Sequence, residues 1–322
     1  MKPLVTVAVT TYRSAVYVIE TLESVYGQTY QEIALVISDD CSPDNTVALV
    51  NDWIALERVQ NRFVSIEVIT VPKNTGVSAN CNRCIKAAAG DWIKFIAGDD
   101  ILYPNCITDN MQFVAENPEA HIIFSQIKLY QDDFTEAKYI KTTPEDFPSN
   151  LMKSSLSAHD QYQLLLVSDR IHYTPSYFFN KQALLRVGGY DETNRLVEDY
   201  PMWLKLTQAG ERLYYFHKIT VGYRIHANAT NNVSSNVLFK PSVFNTFLIR
   251  KQFAHPSLPW EMVGSEYQTY WVSKLFSQLG WNKKTAFFTS LYRVGCFYMN
   301  PFQYVYALKK RWPSNKQNPF YF

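Results

Sequence analysis

Two adjacent carboxylates, Asp99 and Asp100, directly follow an apolar run that ends at Gly98 in the segment WIKFIAGDDILYP. Neighbouring carboxylates repel each other unless a positive group lies between or beside them. A divalent cation, a nearby base or solvent at a strand end can each relieve this repulsion. The pair is therefore a candidate metal site. The surrounding sequence must show whether a cation, a base or solvent faces the two acids.

Short β-rich runs alternate with helical patterns in the first third of the chain. The segments LVTVAVT, EIALVIS, FVSIEVIT and WIKFIA are predicted strands, and helix-capping residues and apolar positions at helical spacing lie between them. Continuous apolar strands that alternate with helices are typical of a mostly parallel sheet with helices on both faces. Further strand regions are predicted at 120–130 and 172–180, followed by a strand pair in RLYYF and TVGYRIH.

Polar side chains follow each of the first four predicted strands. In sheets of this class, ligands bind at the carboxyl ends of the strands. The chain has neither the GxGxxG of a dinucleotide site nor the GxxxxGK of a P-loop, so a bound phosphate would be held through a metal. The residues at the four ends are Thr10, Thr11, Tyr12, Ser38, Asp39, Asp40, Pro72, Lys73, Asn74, Gly98, Asp99 and Asp100.

Formal charge is divided unevenly along the chain. The 322 residues carry 31 Lys and Arg against 29 Asp and Glu. Residues 240–322 hold 11 of the basic and 2 of the acidic residues, a balance of +9, which leaves 20 and 27, a balance of −7, for residues 1–239. This asymmetry favours an anionic surface such as phospholipid as a partner. Nucleic acid is not expected, because the acidic body has no basic nucleic-acid-binding module.

The sequence pattern changes near residue 240, where strands give way to helical, aromatic sequence. We therefore predict a domain over 1–239 and a helical module over 240–322. The most apolar part of the module, 286–308, is interrupted by polar residues and falls short of the roughly 18 apolar residues of a membrane span. The apolar run at the N-terminus is too short for a signal peptide.

Cysteine usage predicts a reducing compartment. Five cysteines are an odd and sparse set for a chain of this length, so no disulfide framework is expected. The CxxC at Cys81 and Cys84 has no second Cys or His pair to complete a zinc site, and its spacing suits two neighbours on a helix. We expect a cytoplasmic protein, in which the two Asn-X-Ser/Thr sequences within residues 228–234 have no function.

Four motifs, in this order, resemble those of the family 2 glycosyltransferases with a GT-A fold. They are TTYRSAVYVIETLESVYGQTY, ISDDCSPDNT, NTGVSANCNRCIKAAAGDWIKFIAGDDILYP, and GGYDE followed by EDYPMWLKL, and the resemblance covers roughly residues 3–230. It implies an α/β, Rossmann-like fold with a mixed, mostly parallel sheet flanked by helices. It also implies a nucleotide-sugar donor, Mn²⁺ or Mg²⁺ as cofactor, and inversion at the anomeric carbon.

The resemblance implies a nucleotide site at the first two strand ends. Thr10, Thr11 and Tyr12 match the corner of the family that contacts the nucleotide, where Tyr12 can pack on the base. Asp39 matches the first acid of DDxSxDxT, which accepts a hydrogen bond from uracil. A UDP-sugar is therefore the expected donor. Asp40 matches the second acid, which supports the loop.

The resemblance also implies a metal site, but one of its acids is missing. The family often has DxDD at this strand end, and Ala97 takes the place of the first acid. Asp99 would coordinate Mn²⁺ or Mg²⁺ bridging the donor diphosphate, with Asp100 beside it as a supporting or turn-capping residue. His226 is a metal or diphosphate contact or a loop-packing residue. Lys73 is placed to meet the diphosphate.

Glu198 and Asp199 resemble the base motif of the family. An inverting transfer needs one carboxylate to take the proton of the acceptor hydroxyl while its oxygen attacks the anomeric carbon. Asp199 is assigned this role, and Glu198 is the alternative base or orients the loop. Two adjacent acids raise the pKa of one of them, which suits a base working near neutral pH.

The aromatic and basic tail beyond residue 240 lies outside the resemblance. Its mixture of aromatic residues with Lys and Arg suits attachment to an anionic bilayer, and the alternative is packing on the catalytic domain or a homodimer contact. The first interpretation predicts a peripheral protein on the cytoplasmic face of the inner membrane. Its acceptor would be a glycan or a polyprenyl-diphosphate-linked sugar in surface-polysaccharide synthesis, such as capsule or O-antigen.

Three other functions compete with this interpretation. Ala97 is compatible with a non-catalytic nucleotide- or glycan-binding relative, although such a protein needs no base at Asp199. A nucleotidyltransferase would carry a Gly-rich basic loop after the first strand, and Thr10 to Ser14 lack one. A processive polysaccharide synthase is disfavoured because neither membrane spans nor a QxxRW sequence is found.

Overall fold

The computed structural model describes residues 2–193, 198–226, 236–240, 242–315 and 318–321. The Asn-X-Ser/Thr sequences within residues 228–234 lie outside the described residues. The described chain contains a single large mixed sheet flanked by helices, and a series of helices toward the carboxyl end.

Nine strands form the sheet in the described part of the chain. They are β1 (Val5–Thr11), β2 (Ile33–Asp39), β3 (Ser65–Thr70), β4 (Trp92–Ala97), β5 (Ile101–Leu102), β6 (Ile122–Gln131), β7 (Tyr139–Thr143), β8 (Phe178–Asn180) and β9 (Leu213–Ile225). Their order is β3-β2-β1-β4-β8-β6-β9-β5, with β7 paired to β6. The first four strands in this order are mutually parallel, and β6 and β9 are parallel as well. The other pairs are antiparallel.

Helices connect and cover the strands. They are α1 (Val18–Tyr26), α2 (Thr46–Ile54), α3 (Glu57–Gln60), α4 (Val77–Ala87), α5 (Cys106–Glu116), α6 (Ala158–Val167), α7 (Lys181–Arg186), α8 (Asp199–Gln208), α9 (Ser242–Phe253), α10 (Trp260–Gln278), α11 (Ala286–Arg293) and α12 (Pro301–Lys310). A short π-helix, Val294–Tyr298, follows α11. As the apolar spacing predicts, α1 buries Val18, Leu22 and Val25.

The sheet confirms the α/β fold expected from the sequence. Strands β1, β2 and β4 are buried over almost their whole length, as central strands covered on both faces should be. The region 172–180 differs from the prediction, since only Phe178–Asn180 is a strand and Thr174–Ser176 is a 3₁₀ turn. Pro175 explains this, because proline has no N–H to donate to a strand ladder. The predicted strand pair after α8 is one long strand, β9, which runs beside β6 through a shift in register.

The chain divides into two compact units. One consists of residues 1–161 and 170–227, and the other of residues 162–169 and 228–322. In the second unit, α10 packs against α9, α11 and α12. None of the helices in the described ranges is long and apolar enough to cross a membrane. The roles assigned to 1–239 and 240–322 stay predictions.

Candidate active site

The carboxyl ends of β1 and β2 are joined through Thr11 and Asp39. The two residues are paired in the parallel register, and the Thr11 hydroxyl donates a 2.8 Å hydrogen bond to the Asp39 carboxylate. The same carboxylate accepts bonds from the backbone N–H (2.7 Å) and the hydroxyl (2.6 Å) of Ser42. Asp39 is buried, Thr10 is half-buried, and Tyr12 is 43% exposed. The two strand ends therefore form one polar corner with an exposed aromatic ring beside it.

Asp40 anchors the loop that follows β3. Its buried carboxylate accepts hydrogen bonds from the N–H and hydroxyl of Thr75, from the N–H of Gly76, and from the Arg83 guanidinium at 2.7 Å. Burial raises the pKa of Asp40, but the bonds from Thr75, Arg83 and Gly76 bring it below its usual value. Lys73 is exposed in the same loop. Sequence reasoning missed Arg83, whose only signal was a basic residue among the small and polar residues of α4.

Asp99 and His226 meet at the edge of the sheet where β4 ends. Strand β5 pairs with β9 in antiparallel register, with Ile101 opposite Gly222, and this brings the end of β9 close to the end of β4. The Nε2 atom of His226 lies 3.1 Å from Oδ2 of Asp99. The imidazole is buried with its ring centroid 4.7 Å from that of Tyr17, whereas the Asp99 side chain is 32% exposed. The structure thus brings together the two residues predicted as metal ligands.

This pair of side chains fits a shared divalent cation. A carboxylate oxygen and an imidazole nitrogen are both suitable ligands for Mn²⁺, and a carboxylate suits Mg²⁺. Adjacent ligands of an octahedral ion with bonds of about 2.1 Å are about 3 Å apart, which matches the 3.1 Å between Oδ2 and Nε2. Within the described ranges, no cluster of three or more His, Cys, Asp or Glu side chains could hold a metal. A bound diphosphate and water would therefore have to complete the coordination shell.

Asp100 is buried behind this pair and holds the end of β9. Its carboxylate accepts a 2.9 Å hydrogen bond from the backbone N–H of Arg224, and the Nε of Arg224 donates to the Asp99 carbonyl at 2.7 Å. The guanidinium lies 4.4 Å from the ring centroid of Tyr17 and 4.2 Å from that of Phe134. Burial and the nearby charge of Asp99 raise the pKa of Asp100, although Arg224 opposes them. Arg224 lies in the predicted strand TVGYRIH, and the strand pattern alone gives no sign of its contacts with both acids.

Glu198 and Asp199 lie at the amino end of α8. Oδ2 of Asp199 accepts a 3.2 Å hydrogen bond from the Thr174 hydroxyl, and Oδ1 accepts one of 2.8 Å from the Tyr200 N–H. Burial raises the pKa of Asp199 despite these two donors. Burial and the negative charge of Asp199 raise the pKa of Glu198 to about 8. Because the two acids interact, they titrate as a coupled pair in two steps.

The Thr174–Ser176 turn connects the acid pair to the sheet. Strand β8 is antiparallel to β4 with Phe178 opposite Lys94, so the residues before β8 continue toward the carboxyl end of β4. This is the end that leads to Asp99. The hydrogen bond from Thr174 therefore brings Asp199 toward the sheet edge that carries the Asp99–His226 pair.

A Gly-Gly turn before the acid pair is held by Asn82 of α4. The Asn82 side chain accepts a 2.8 Å hydrogen bond from the N–H of Tyr190 and donates one of 2.9 Å to its carbonyl. Gly188 and Gly189 both have positive φ, 74° and 69°. A Cβ on Gly189 would lie 2.5 Å from the Asn82 side-chain oxygen, so glycine is required there for both reasons.

The family model of glycosyl transferase family 2 matches residues 6–186, which is more than half of the chain. The chain belongs to this family. The match includes β1 to β4 and the strand ends that carry Asp39 and Asp99, and it stops before Glu198.

A curated relative is consistent with this assignment. It is the putative teichuronic acid biosynthesis glycosyltransferase TuaG of Bacillus subtilis strain 168, which is 24% identical over 236 residues. The alignment covers 73% of this chain and 83% of TuaG. The chain is thus a family 2 glycosyltransferase with relatives in polysaccharide synthesis.

Solved structures share the GT-A fold with this chain. Residues 1–349 of S. aureus TarS, in complex with UDP-GlcNAc, match with a TM-score of 0.55 and 16% identity, over 98% of this chain and 78% of that chain. The mannosyltransferase PcManGT from Pyrobaculum calidifontis, in complex with GDP-Man and Mn²⁺, matches with a TM-score of 0.52 and 14% identity, over 96% of this chain and 75% of that chain. At these identities the likeness shows the fold alone. This chain spans 44% of a longer TarS chain.

Proposed function

We propose that this glycosyltransferase moves a sugar, with inversion, from a UDP-sugar to a glycan or polyprenyl-diphosphate-linked acceptor in bacterial surface-polysaccharide synthesis. The observation that carries the proposal is the 3.1 Å contact between Asp99 and His226 at the end of β4. Strand β4 is the direct neighbour of β1, whose end forms the polar corner with Asp39. A nucleotide in that corner would have its diphosphate within reach of the Asp99–His226 pair.

The corner between β1 and β2 is the proposed nucleotide site. A carboxylate has about four lone-pair positions, and Asp39 uses three of them for Thr11 and Ser42, so one remains for a uracil N–H. The exposed ring of Tyr12 is available to pack on the base. Thr10 would line the same corner.

The Asp99–His226 pair is the proposed diphosphate end of the site. When bound, Mn²⁺ or Mg²⁺ neutralises charge that develops on the leaving diphosphate. Asp99 and His226 would hold it, and the exposed ammonium of Lys73 would add positive charge for the phosphates. Asp100 supports this end through its bond to Arg224, which in turn binds the Asp99 carbonyl.

Asp199 is the proposed general base. Its raised pKa makes its ionised carboxylate a stronger base than an ordinary aspartate, and the bonds from Thr174 and Tyr200 fix its two oxygens. Each oxygen keeps a lone pair for the acceptor hydroxyl. Glu198 is the alternative base, and its raised pKa leaves it largely protonated at neutral pH.

Residues 240–322 are proposed to bind the anionic membrane surface on which a lipid-linked acceptor would lie. The segment has 11 basic and 2 acidic residues, and the two acids, Glu261 and Glu266, are bonded to Lys309 and Arg250, so basic residues outnumber acidic ones by nine. A homodimer contact is the alternative for the same surface. The large side chains that are more than half exposed here include Trp260, Trp271, Phe287, Phe297, Tyr298, Met299, Tyr304, Leu308 and Trp312.

The first test is calorimetric titration of UDP with Mn²⁺ and again after chelation, for the wild type, Asp99→Asn and His226→Asn. We expect metal-dependent binding in the wild type and at least about tenfold weaker binding in both variants, because each loses one ligand of a two-residue site. Asp91→Asn is the matched control, since Asp91 precedes the opposite end of β4 and is exposed. It should bind UDP like the wild type.

The remaining outcomes separate the parts of the proposal. Equal UDP binding with and without Mn²⁺ would remove the metal from the mechanism. Ala97, in place of the first metal-binding acid of the family, would then account for the loss of metal binding. Binding of no nucleotide under any condition would overturn the donor site. UDP binding without sugar transfer to any acceptor would favour the non-catalytic relative. Where transfer occurs, the anomeric configuration of the product, read by NMR, tests inversion directly.

A further inference from the structure

The strand that leads to Asp99 carries a fully buried lysine. Lys94 lies in the middle of β4 with no exposed surface. Its ammonium donates hydrogen bonds to the carbonyls of Pro175 (2.6 Å) and Tyr177 (3.1 Å) and lies 5.7 Å from the centroid of the Tyr177 ring. Burying an ammonium group lowers the stability of the protein unless its N–H donors have acceptors. The two hydrogen bonds therefore fix both the Lys94 side chain and the segment that provides the carbonyls.

The segment held by Lys94 is the Thr174–Ser176 turn. Ser176, also buried, donates to the Tyr173 carbonyl at 2.7 Å and accepts from the N–H of Ser125 in β6 at 3.0 Å. The turn is therefore anchored to β4 on one side and to β6 on the other. Thr174 is the residue of this turn whose hydroxyl reaches Oδ2 of Asp199.

We propose that Thr174 and Lys94 are positioning residues for Asp199, and that Lys94 couples the strand bearing Asp99 to the acid pair. The inference rests on the proposed function, in which Asp199 is the general base. Thr174 and the Tyr200 N–H each hold one carboxylate oxygen, so the carboxylate plane is fixed from both sides. A fixed base orients its free lone pairs before the acceptor arrives, which lowers the entropic cost of the transition state.

The first experiment measures the pKa of Asp199 without any substrate. The protein is labelled with [4-¹³C]Asp, and the Asp199 resonance is assigned by its loss in Asp199→Asn. A hydrogen bond to the charged carboxylate lowers its pKa, so Thr174→Val should raise the pKa of Asp199 by about 0.5 to 1 unit. Thr174→Ser keeps the hydroxyl and should return the pKa to the wild-type value.

Two controls make this measurement specific. The titrations are repeated in a Glu198→Gln background, because Glu198 interacts electrostatically with Asp199 and would otherwise contribute to the observed shift. Tyr177 also interacts with Asp199, but burial raises the pKa of its hydroxyl, so it stays neutral in this pH range. Thr207→Val removes a buried hydroxyl within α8, one that donates to the Trp203 carbonyl, and should leave the pKa of Asp199 unchanged. An unchanged pKa in Thr174→Val would overturn the role of Thr174.

Lys94 is tested by a double-mutant cycle. Lys94→Met frees the turn, so it should raise the pKa of Asp199 in the same direction, and the double variant with Thr174→Val should show no further rise because both changes act through one bond. Additive shifts, or no shift in folded Lys94→Met, would overturn the role of Lys94. If Lys94→Met does not fold, Lys94→Arg, which keeps the donors in another geometry, should give an intermediate shift.

Kinetics separate this inference from the proposed function. With UDP release from UDP-GlcNAc as the probe, Thr174→Val should lower kcat about five- to tenfold with KM unchanged, and Thr174→Ser should restore it. Full activity of Asp199→Asn would end the assignment of Asp199 as the general base while leaving the measured pKa coupling intact. An inactive Asp199→Asn beside a fully active Thr174→Val would instead overturn the inference alone.

Discussion

At the residue scale, the members of each adjacent Asp-Asp pair at the strand ends have different surroundings. The second acid of each pair, Asp40 or Asp100, is buried and bonded to an arginine, Arg83 or Arg224. In the pair at the end of β4, the first acid, Asp99, keeps part of its side chain open to a ligand. A sequence motif cannot make this distinction, because both acids of a pair have the same chemistry until a partner from another element reaches one of them.

We expect the transfer rate to depend on pH through Glu198 and Asp199. The base must be ionised, and burial raises the pKa of both acids, so kcat/KM should rise with pH through an acid limb above the usual range of an aspartate, near 4. A second step in kcat/KM is expected near pH 8, where Glu198 ionises. It should vanish in Glu198→Gln, because glutamine does not titrate. The measurement is kcat/KM from pH 5 to about pH 9.5.

The same pH profile can also contradict the assignment of Asp199 as the general base. An acid limb at or below pH 4 would mean that neither Glu198 nor Asp199 has the raised pKa on which this assignment rests. Asp199→Asn should lose on the order of 10²-fold or more in kcat, the usual contribution of a general base.

At the scale of elements, α4 organises the loops around the site. Arg83 binds Asp40 and the Thr75 hydroxyl, and Asn82 binds the turn at Gly189 and Tyr190. Two consecutive residues of one helix thus hold a loop after β3 and a turn more than a hundred positions later. These contacts explain why α4 carries a buried Asn82 and a half-buried Arg83 where it packs on the sheet.

A matched pair of glycine variants tests the Asn82 contact. Gly188→Ala and Gly189→Ala both place a Cβ at positive φ, which costs roughly 1–2 kcal/mol. A Cβ at Gly188 meets no atom within 4 Å, whereas one at Gly189 lies 2.5 Å from the Asn82 oxygen. Gly189→Ala should therefore lower the free energy of unfolding by about a further 1–3 kcal/mol, from the lost buried hydrogen bonds.

Urea unfolding followed by circular dichroism measures both variants, and Asn82→Ala supplies the reference for the lost contact. In an Asn82→Ala background the difference between the two glycine variants should largely disappear. Equal destabilisation of Gly188→Ala and Gly189→Ala in the native background would show that Asn82 does not constrain the turn.

At the scale of the whole molecule, charge and apolar exposure are concentrated in the same part of the sequence. Residues 240–322 carry the +9 balance and include many of the large aromatic side chains that are exposed. None of the described helices is suited to cross a membrane. Exposed aromatic residues among Lys and Arg favour binding at the interface of an anionic bilayer.

Vesicle sedimentation tests this partner. The protein should bind vesicles containing phosphatidylglycerol, bind phosphatidylcholine vesicles weakly, and lose affinity as salt rises, because exposed charges are screened. The double variant Lys283→Gln and Lys284→Gln should bind about tenfold or more weakly, since each basic residue near the surface contributes about 1 kcal/mol. Lys86→Gln with Lys138→Gln changes the charge equally, at exposed positions of the other unit, and should bind normally.

Salt-independent binding, or an equal loss in both double variants, would contradict a specific basic surface at residues 240–322. A concentration-dependent rise in mass without vesicle binding would instead support the homodimer contact. Either result would leave the proposed donor site untouched, because none of its residues belongs to this segment.

The sequence by itself determined the α/β class, the first four strands and the positions where they end. These features depend on local patterns, namely apolar runs, helix spacing and capping residues, so no knowledge of distant contacts is needed. The polar residues at the strand ends could be predicted for the same reason, because parallel strands place their carboxyl ends at one edge. Family resemblance then added the expected roles of Asp39, Asp99 and Asp199.

Only the tertiary structure decided which of these residues touch. His226 meets Asp99 across 127 positions of sequence because β5 and β9 pair in one register. Thr174 reaches Asp199 because Pro175 delays the start of the expected strand to Phe178 and leaves a turn before it, which Lys94 holds from within the sheet. Such contacts depend on the register and packing of elements far apart in the chain, and a local pattern carries no information about either.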